Sequence, residues 1–251
     1  MSHAPGDAFL SQQRVLVISP HPDDEAYGCA GTIARVKSLG GEAYVLLGSI
    51  GTLDHYGSRT GDADGDERMC TVSAETRLAE FCAVMDLLQV DDWEVLFTDD
   101  AIHMALDTVP RKELVRLIER DARLAIEKVR PTMILIPATS YNQDHEALHR
   151  ACMTATRPGD RSERHFVPLV LAYDNTSLFW SPDHERFHPN FFVDITDFLP
   201  VKLEALRAHA SQLRDPLFHG SPEGLELQTR LRGREISADS AEGFMTLRAV
   251  F

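Results

Sequence analysis

His21-Pro22-Asp23-Asp24-Glu25 gathers an imidazole and a run of carboxylates directly after the apolar stretch Val15-Leu16-Val17-Ile18. The stretch is too short for a helix and suits a buried strand, and Pro20 and Pro22 block its continuation as a helix. The chain must turn here, so the cluster sits beyond a strand's carboxyl end, where open α/β sheets bind ligands. Histidine and aspartate are ordinary zinc ligands, and a catalytic zinc takes three protein ligands and keeps a fourth position open. Consecutive side chains leave the backbone in different directions, so one aspartate can ligate while its neighbour handles a proton; the residues alone leave open which does which. The competing reading is a solvated acidic turn whose aspartates cap the following helix.

A third ligand should come from another strand's end. Met133-Ile134-Leu135-Ile136 is such a strand, and it runs through Pro137 into Tyr141-Asn142-Gln143-Asp144-His145. His145 is the natural third ligand, with Asp144 able to orient a neighbouring group.

The order strand, His-Pro-Asp-Asp-Glu, Gly-x-x-Gly-Thr (Gly28 to Thr32), later strand, then Gln-Asp-His resembles the LmbE-like or PIG-L-like family of zinc-dependent N-deacetylases. Further matches are Arg77 and Glu80, Asp99 after a strand, Val193 to Asp197, then Lys202, Ala205, His209, Ser211 and Gln212, and Ala241-Glu242-Gly243-Phe244. The resemblance implies that His21, Asp24 and His145 bind Zn2+ and that Asp23 is the general base acting on the attacking water. It implies that Arg77 and Asp99 hold sugar hydroxyls, and that the substrate is a small N-acyl amino sugar or related molecule, in biosynthesis of a sugar-containing metabolite. Other divalent metals also suit a His-Asp-His set, and a homo-oligomer is compatible with the resemblance.

One position departs from the pattern. Many family members carry His-x-Asp-His, whereas this chain has Asn142-Gln143-Asp144-His145. Asparagine cannot carry a proton, but its N–H can stabilise an oxyanion. Either Asp23 performs both proton transfers, another residue replaces the histidine, or the chain is a silent metal- and sugar-binding homologue.

His145-Glu146-Ala147-Leu148-His149 also matches the H-E-x-x-H signature of metalloproteases. His184-Glu185-Arg186-Phe187-His188 matches it too, between Pro182 and Pro189, and a chain with 11 His and 39 acidic residues meets so loose a pattern easily. The protease motif also needs helix on both sides, and His145 falls in a first helical turn. Gly28 and Gly31 lack the G-x-G-x-x-G spacing of a dinucleotide site and read as close-packing residues. Asp62 to Asp66 lacks the spacing of a calcium loop.

Strands alternating with helices specify a Rossmann-like three-layer α/β sandwich with a mostly parallel sheet. Expected strands are Val15–Ile18, Ala43–Leu47, Glu94–Phe97, Met133–Ile136, Val167–Ala172 and Phe191–Ile195, the last near an edge. Expected helices are Glu25–Leu39, Ala74–Leu88, one opened by Pro110 and running to Val129, and Phe198–Leu213; Ser49–Arg68 reads as a polar loop and Phe218 onward as weakly patterned, with short β pieces. Tyr141, Tyr173, Phe179 and Trp180 are candidates for an apolar floor or lid, and the loop Asn175–Asn190 for substrate selection.

With 251 residues, 43% of them hydrophobic, and no low-complexity linker, a single domain spanning 1–251 is the simplest organisation. No apolar run approaches the roughly 20 residues of a membrane span, and no signal peptide is evident. A net charge of −14 disfavours nucleic acid and anionic membranes. Cys29, Cys70, Cys82 and Cys152 show no C-x-x-C spacing, which fits a reduced, cytoplasmic protein.

Overall fold

A computed structural model of the chain describes residues 6–56, 69–174 and 187–251. The strands are β1 (Arg14–Ser19), β2 (Glu42–Ser49), β3 (Leu53–Tyr56), β4 (Met69–Val72), β5 (Asp92–Phe97), β6 (Met133–Pro137), β7 (Leu169–Tyr173), β8 (Phe191–Asp194) and β9 (Ala241–Ala249). The helices are α1 (Asp7–Leu10), α2 (Asp24–Gly28), α3 (Ala30–Ser38), α4 (Ala74–Leu87), α5 (Arg111–Arg116), α6 (Ile126–Val129), α7 (Gln143–Ala155), α8 (Leu199–Ala208) and α9 (Pro222–Glu235).

Seven strands form one sheet in the order β5-β2-β1-β6-β7-β9-β8, parallel from β5 to β7 and antiparallel where β9 enters. The mostly parallel α/β sandwich expected from the sequence is the one observed. Strand residues alternate between two cores, as a period of two requires. Val15, Val17, Met133 and Leu135 join the helices α2, α3, α4 and α8 on one face; Leu16, Ile18, Ile134 and Ile136 join α5, α6 and α7 on the other. Both faces are covered, which is why the strands read as continuous apolar runs.

The chain leaves β1 for β2 and β5 on one side, and returns to β6 and β7 on the other. The carboxyl ends of β1 and β6 therefore flank the point where the strand order reverses, the crevice in which such sheets bind ligands. The segments after these two ends carry His21 and His145.

Four elements differ from expectation. The helix expected over Glu25–Leu39 breaks at Cys29 into α2 and α3. Both broken ends are satisfied by a buried ion pair. Lys202 Nζ donates to the carbonyls of Ala26 (3.1 Å) and Tyr27 (2.6 Å), while Glu242 accepts the N–H groups of Gly31 (2.9 Å) and Thr32 (2.7 Å). The two side chains meet at 2.5 Å. Tight packing adds to this: a Cβ on Gly28 would stand 2.3 Å from the Tyr173 ring, and one on Gly31 would stand 2.5 Å from Ile195.

The helix expected from Pro110 to Val129 opens between Ala122 and Ala125 because Glu94 captures the N–H groups of Arg123 (3.1 Å) and Leu124 (2.7 Å). The polar loop Ser49–Arg68 contains β3, paired antiparallel with β4; its Asp62–Asp66 stretch lies outside the described residues. The weakly patterned tail holds α9 and the long strand β9, which fills the gap between β7 and β8 and puts β8 at the expected edge.

Cys29 and Cys152 are buried, and Cys29, Cys70, Cys82 and Cys152 are free thiols. Among the described residues no helix is long and apolar enough to cross a membrane.

Candidate active site

The turn after β1 is held in an unusual backbone state. Asp23 has φ 123°, a region that favours glycine, so its conformation is strained. Glu25 supports it: one carboxylate oxygen accepts the Asp23 N–H (3.2 Å), and the other accepts a bond from His209 Nε2 (2.7 Å), with both side chains fully buried. The Asp23 carbonyl meanwhile accepts the N–H groups of Ala26 and Tyr27, which starts α2. The helix start and the strain thus share one residue.

His21 and Asp24 face His145 across the crevice. The Asp24 carboxylate oxygen lies 3.4 Å from His21 Nδ1 and 3.3 Å from His145 Nε2. One ligand atom from each of His21, Asp24 and His145 falls within 4.8 Å of the others, and all three residues are buried. Two imidazole nitrogens and a carboxylate oxygen form a donor set that suits zinc and leaves its fourth position free. His21 Nε2 donates to Asp144 at 2.9 Å, and the same carboxylate accepts the Leu106 N–H at 2.9 Å. That bond commits Nε2 to the protein and turns Nδ1 towards Asp24, the role carboxylates commonly play behind a ligating histidine.

The electrostatics follow from burial. Burial opposes the Asp24 charge, but His145 and His21 outweigh it and hold the carboxyl well below its usual range. Burial, then the neighbouring Asp24 charge, pushes Asp23 up to about 7. Burial also opposes a charged His21, yet its bonds to Asp144 and Asp24 prevail and raise it to about 9.

Asn142 caps α7: its Oδ1 accepts the Asp144 N–H at 2.9 Å, an ordinary use of asparagine. Its side-chain carbonyl is thereby committed, and the amide nitrogen is the donor it has to offer. Arg77, on α4, is 2% exposed. Its guanidinium donates to the Gly51 carbonyl (3.3 Å) and to His103 Nε2, while its Nε is buried with no partner. His103 Nδ1 in turn donates to Ser49 Oγ at 3.1 Å. Burial, then Arg77 and His21, pushes His103 down to about 3, so the ring is neutral and fixed in one tautomer.

A cavity of about 290 Å³ opens over these groups. His21, Asp23, Asp24, His145, Asn142 and Arg77 all line it, as does Tyr141. Asp144 is buried behind it. Asp99 is not brought there: it is exposed, and its carboxylate accepts the Ala101 N–H of its own turn (2.9 Å). Its neighbour Asp100, also exposed, accepts the Thr52 N–H at 2.8 Å and does not line the cavity either. Tyr173 is fully buried in the core and does not line the cavity; Phe179 and Trp180 lie outside the described residues.

The metalloprotease alternative fails on geometry. His149 Nδ1 donates to the Pro137 carbonyl at 2.8 Å, and Glu146 pairs on the surface with Arg150. Neither joins His145 in the metal-capable group.

Sequence reasoning missed His103 and the stretch bearing Arg214, His219 and Gly220, which also lines the cavity. His103 follows the carboxyl end of β5, so the strand-end rule would have flagged it. The stretch at 214–220 carries no motif. It is held over the site by Tyr27, whose hydroxyl donates to the Gly220 carbonyl at 2.6 Å.

A buried His-Asp-His set at the reversal of the strand order places the chain among α/β folds with a metal-capable site at that crevice. The chain belongs to the PIG-L family, described as GlcNAc-PI de-N-acetylase, whose model matches residues 16–156. It is 28% identical to a diacetylchitobiose deacetylase of Thermococcus kodakarensis, over 98% of this chain and 87% of that one. It is 27% identical to a probable N-acetyl-alpha-D-glucosaminyl L-malate deacetylase 2 of Bacillus anthracis, over 80% of this chain and 82% of that one. In fold it resembles GalB, the 4-carboxy-2-hydroxymuconate hydratase of Pseudomonas putida KT2440 (TM-score 0.66, 20% identity, 95% of this chain and 98% of that one). The fold therefore carries more than one reaction, and the activity must be argued from the site.

Proposed function

We propose that this chain is a metal-dependent N-deacetylase of a small amino sugar, with zinc held by His21, Asp24 and His145. The observation that carries this reading is the meeting of those three ligand atoms in one cavity with Asp23 beside them. Deacetylase relatives that match the chain nearly end to end support it. When bound there, a zinc ion supplies a Lewis acid and lowers the pKa of water at its open position.

The chain's own residues account for the rest. Asp23 takes a proton from the attacking water as its oxygen adds to the acetamide carbonyl carbon. The Asn142 amide donates an N–H to the developing oxyanion. As the C–N bond breaks, Asp23 returns the proton to the nitrogen, giving acetate and a free amine. In the metal-free protein the Asp23 carboxyl is raised to about 7 by burial and the Asp24 charge, and a cation held by Asp24 would draw it down towards the ionised form a general base needs. Asp144 keeps His21 in its ligating orientation. The buried guanidinium of Arg77 offers N–H donors to sugar hydroxyls. Asp99 is left out of this set.

The test is release of primary amine and acetate from a panel of N-acetylglucosamine, diacetylchitobiose and N-acetylglucosaminyl malate. Turnover abolished by Asp23→Ala and spared by Glu146→Ala supports the assignment; the opposite pattern overturns it. Asn142 favours a second reading, a silent homologue that keeps its metal. Stoichiometric zinc with no amine released from any member of the panel would establish that reading instead.

A further inference from the structure

We propose that Gln212 is a specificity residue that presents a fixed hydrogen-bond acceptor to the substrate, a role that rests on the deacetylase reading above. Gln212 is 3% exposed, yet it lines the cavity that holds Asp23 and the His-Asp-His set. A buried primary amide can face a cavity with either its oxygen or its nitrogen, and the two choices select opposite ligand groups.

A directional chain of hydrogen bonds makes the choice. Glu80 can only accept: one of its oxygens takes the Ser211 N–H (2.8 Å) and the other takes the Ser211 hydroxyl hydrogen (2.6 Å). The Ser211 hydroxyl has one hydrogen, and it is spent on Glu80. Towards Gln212 the hydroxyl oxygen is therefore an acceptor, and Gln212 Nε2 donates to it at 3.0 Å. The flipped amide would set two acceptors face to face. Gln212 Oε1 is consequently turned away from Ser211, and among the described residues it takes no partner.

Gln212 Oε1 is not among the buried side-chain atoms left without a partner, so it is open to the cavity. A substrate that excludes water from this face must supply a donor in its place. A methyl glycoside of a 2-acetamido sugar offers two donors near the bond to be broken, the amide N–H and the ring hydroxyl at C3. Both share one chemistry, a neutral N–H or O–H. Glu80 lies one helical turn after Arg77 on α4, so the same bonds tie the acceptor Gln212 to the donor Arg77. The cavity wall thus pairs a donor and an acceptor at a set spacing, which fits a sugar edge better than an apolar or purely anionic group.

The experiment compares wild type with Gln212→Met on methyl N-acetylglucosaminide, its 3-deoxy analogue and its N-methylacetamido analogue. Gln212→Met is expected to lower kcat/KM on the parent sugar by about 10- to 100-fold, with zinc content and Tm unchanged. The penalty should vanish on one analogue: on the 3-deoxy sugar if the hydroxyl is the donor, on the N-methyl sugar if the amide is. An equal penalty on all three sugars, or none on any, overturns the proposal. Ser211→Ala provides a second variant, since it frees the amide to rotate; a smaller loss with the same dependence on the analogue is expected. Wild-type turnover of the parent sugar is measured first, and its absence counts against the deacetylase reading alone. In that case the same comparison is made on the Kd of the three sugars by calorimetry, with the same outcomes deciding.

Discussion

His21 Nε2 is bonded to Asp144 at 2.9 Å, and this contact determines which nitrogen of His21 meets Asp24 and His145. Asp144 immediately precedes His145, so one dipeptide after β6 supplies both a proposed ligand and the group that orients the proposed ligand after β1. Asp144→Asn should keep the fold and weaken zinc binding by about 10- to 100-fold. Chelator competition on purified protein reads this directly, and an unchanged affinity would remove Asp144 from the positioning role.

Zinc binding should depend on pH with a definite sign. In the metal-free protein His21 is raised to about 9, so below that pH the ring must lose a proton before it can ligate. Apparent affinity should therefore rise by up to about tenfold per pH unit towards 9 and then level off. Proton release measured by calorimetry in buffers of different ionisation enthalpy would check the count. A pH-independent affinity across this range contradicts the sign.

Asn142 has two separable tasks. As the cap of α7 its oxygen accepts the Asp144 N–H, and as a donor its nitrogen serves the oxyanion in the proposed reaction. Asn142→Ala should lose both: about 1 kcal/mol of stability and about 100-fold in kcat. Asn142→Ser keeps a capping oxygen and loses the amide donor, so Tm should hold while kcat falls by a similar factor. If serine retains full kcat, the amide has no part in the chemistry.

Lys202 and Glu242 stand behind the site, with side chains 1% and 3% exposed. Removing one partner strands the other charge in the core. Lys202→Met should cost about 3–5 kcal/mol and lower Tm. The loss should exceed that of Lys202→Met combined with Glu242→Gln, because the double change leaves no buried charge.

The layers of the fold and the residue types gathered at the site were legible in the sequence. Strands such as Val15–Ile18 and Met133–Ile136 are buried on both faces, so their apolar runs are unbroken and easy to read. Ligand types cluster immediately after them, because residues at strand ends share one rim of the sheet. His21, Asp24 and His145 were legible for that reason, and the family resemblance assigned Asp23 its part.

Tertiary structure decided what depends on contacts between distant segments. Local periodicity gives no sign that Lys202 and Glu242 will split one helix into α2 and α3, or that Glu94 will open another between Ala122 and Ala125. It cannot show that Asp99 caps its own turn, outside the cavity. Nor can it show that His103 supports Arg77, or that a hydrogen-bond chain from Glu80 fixes the face Gln212 presents. A residue type states which bonds a side chain is able to make; the partner that takes each bond, and so the atom left for the substrate, is set only when the chain is folded.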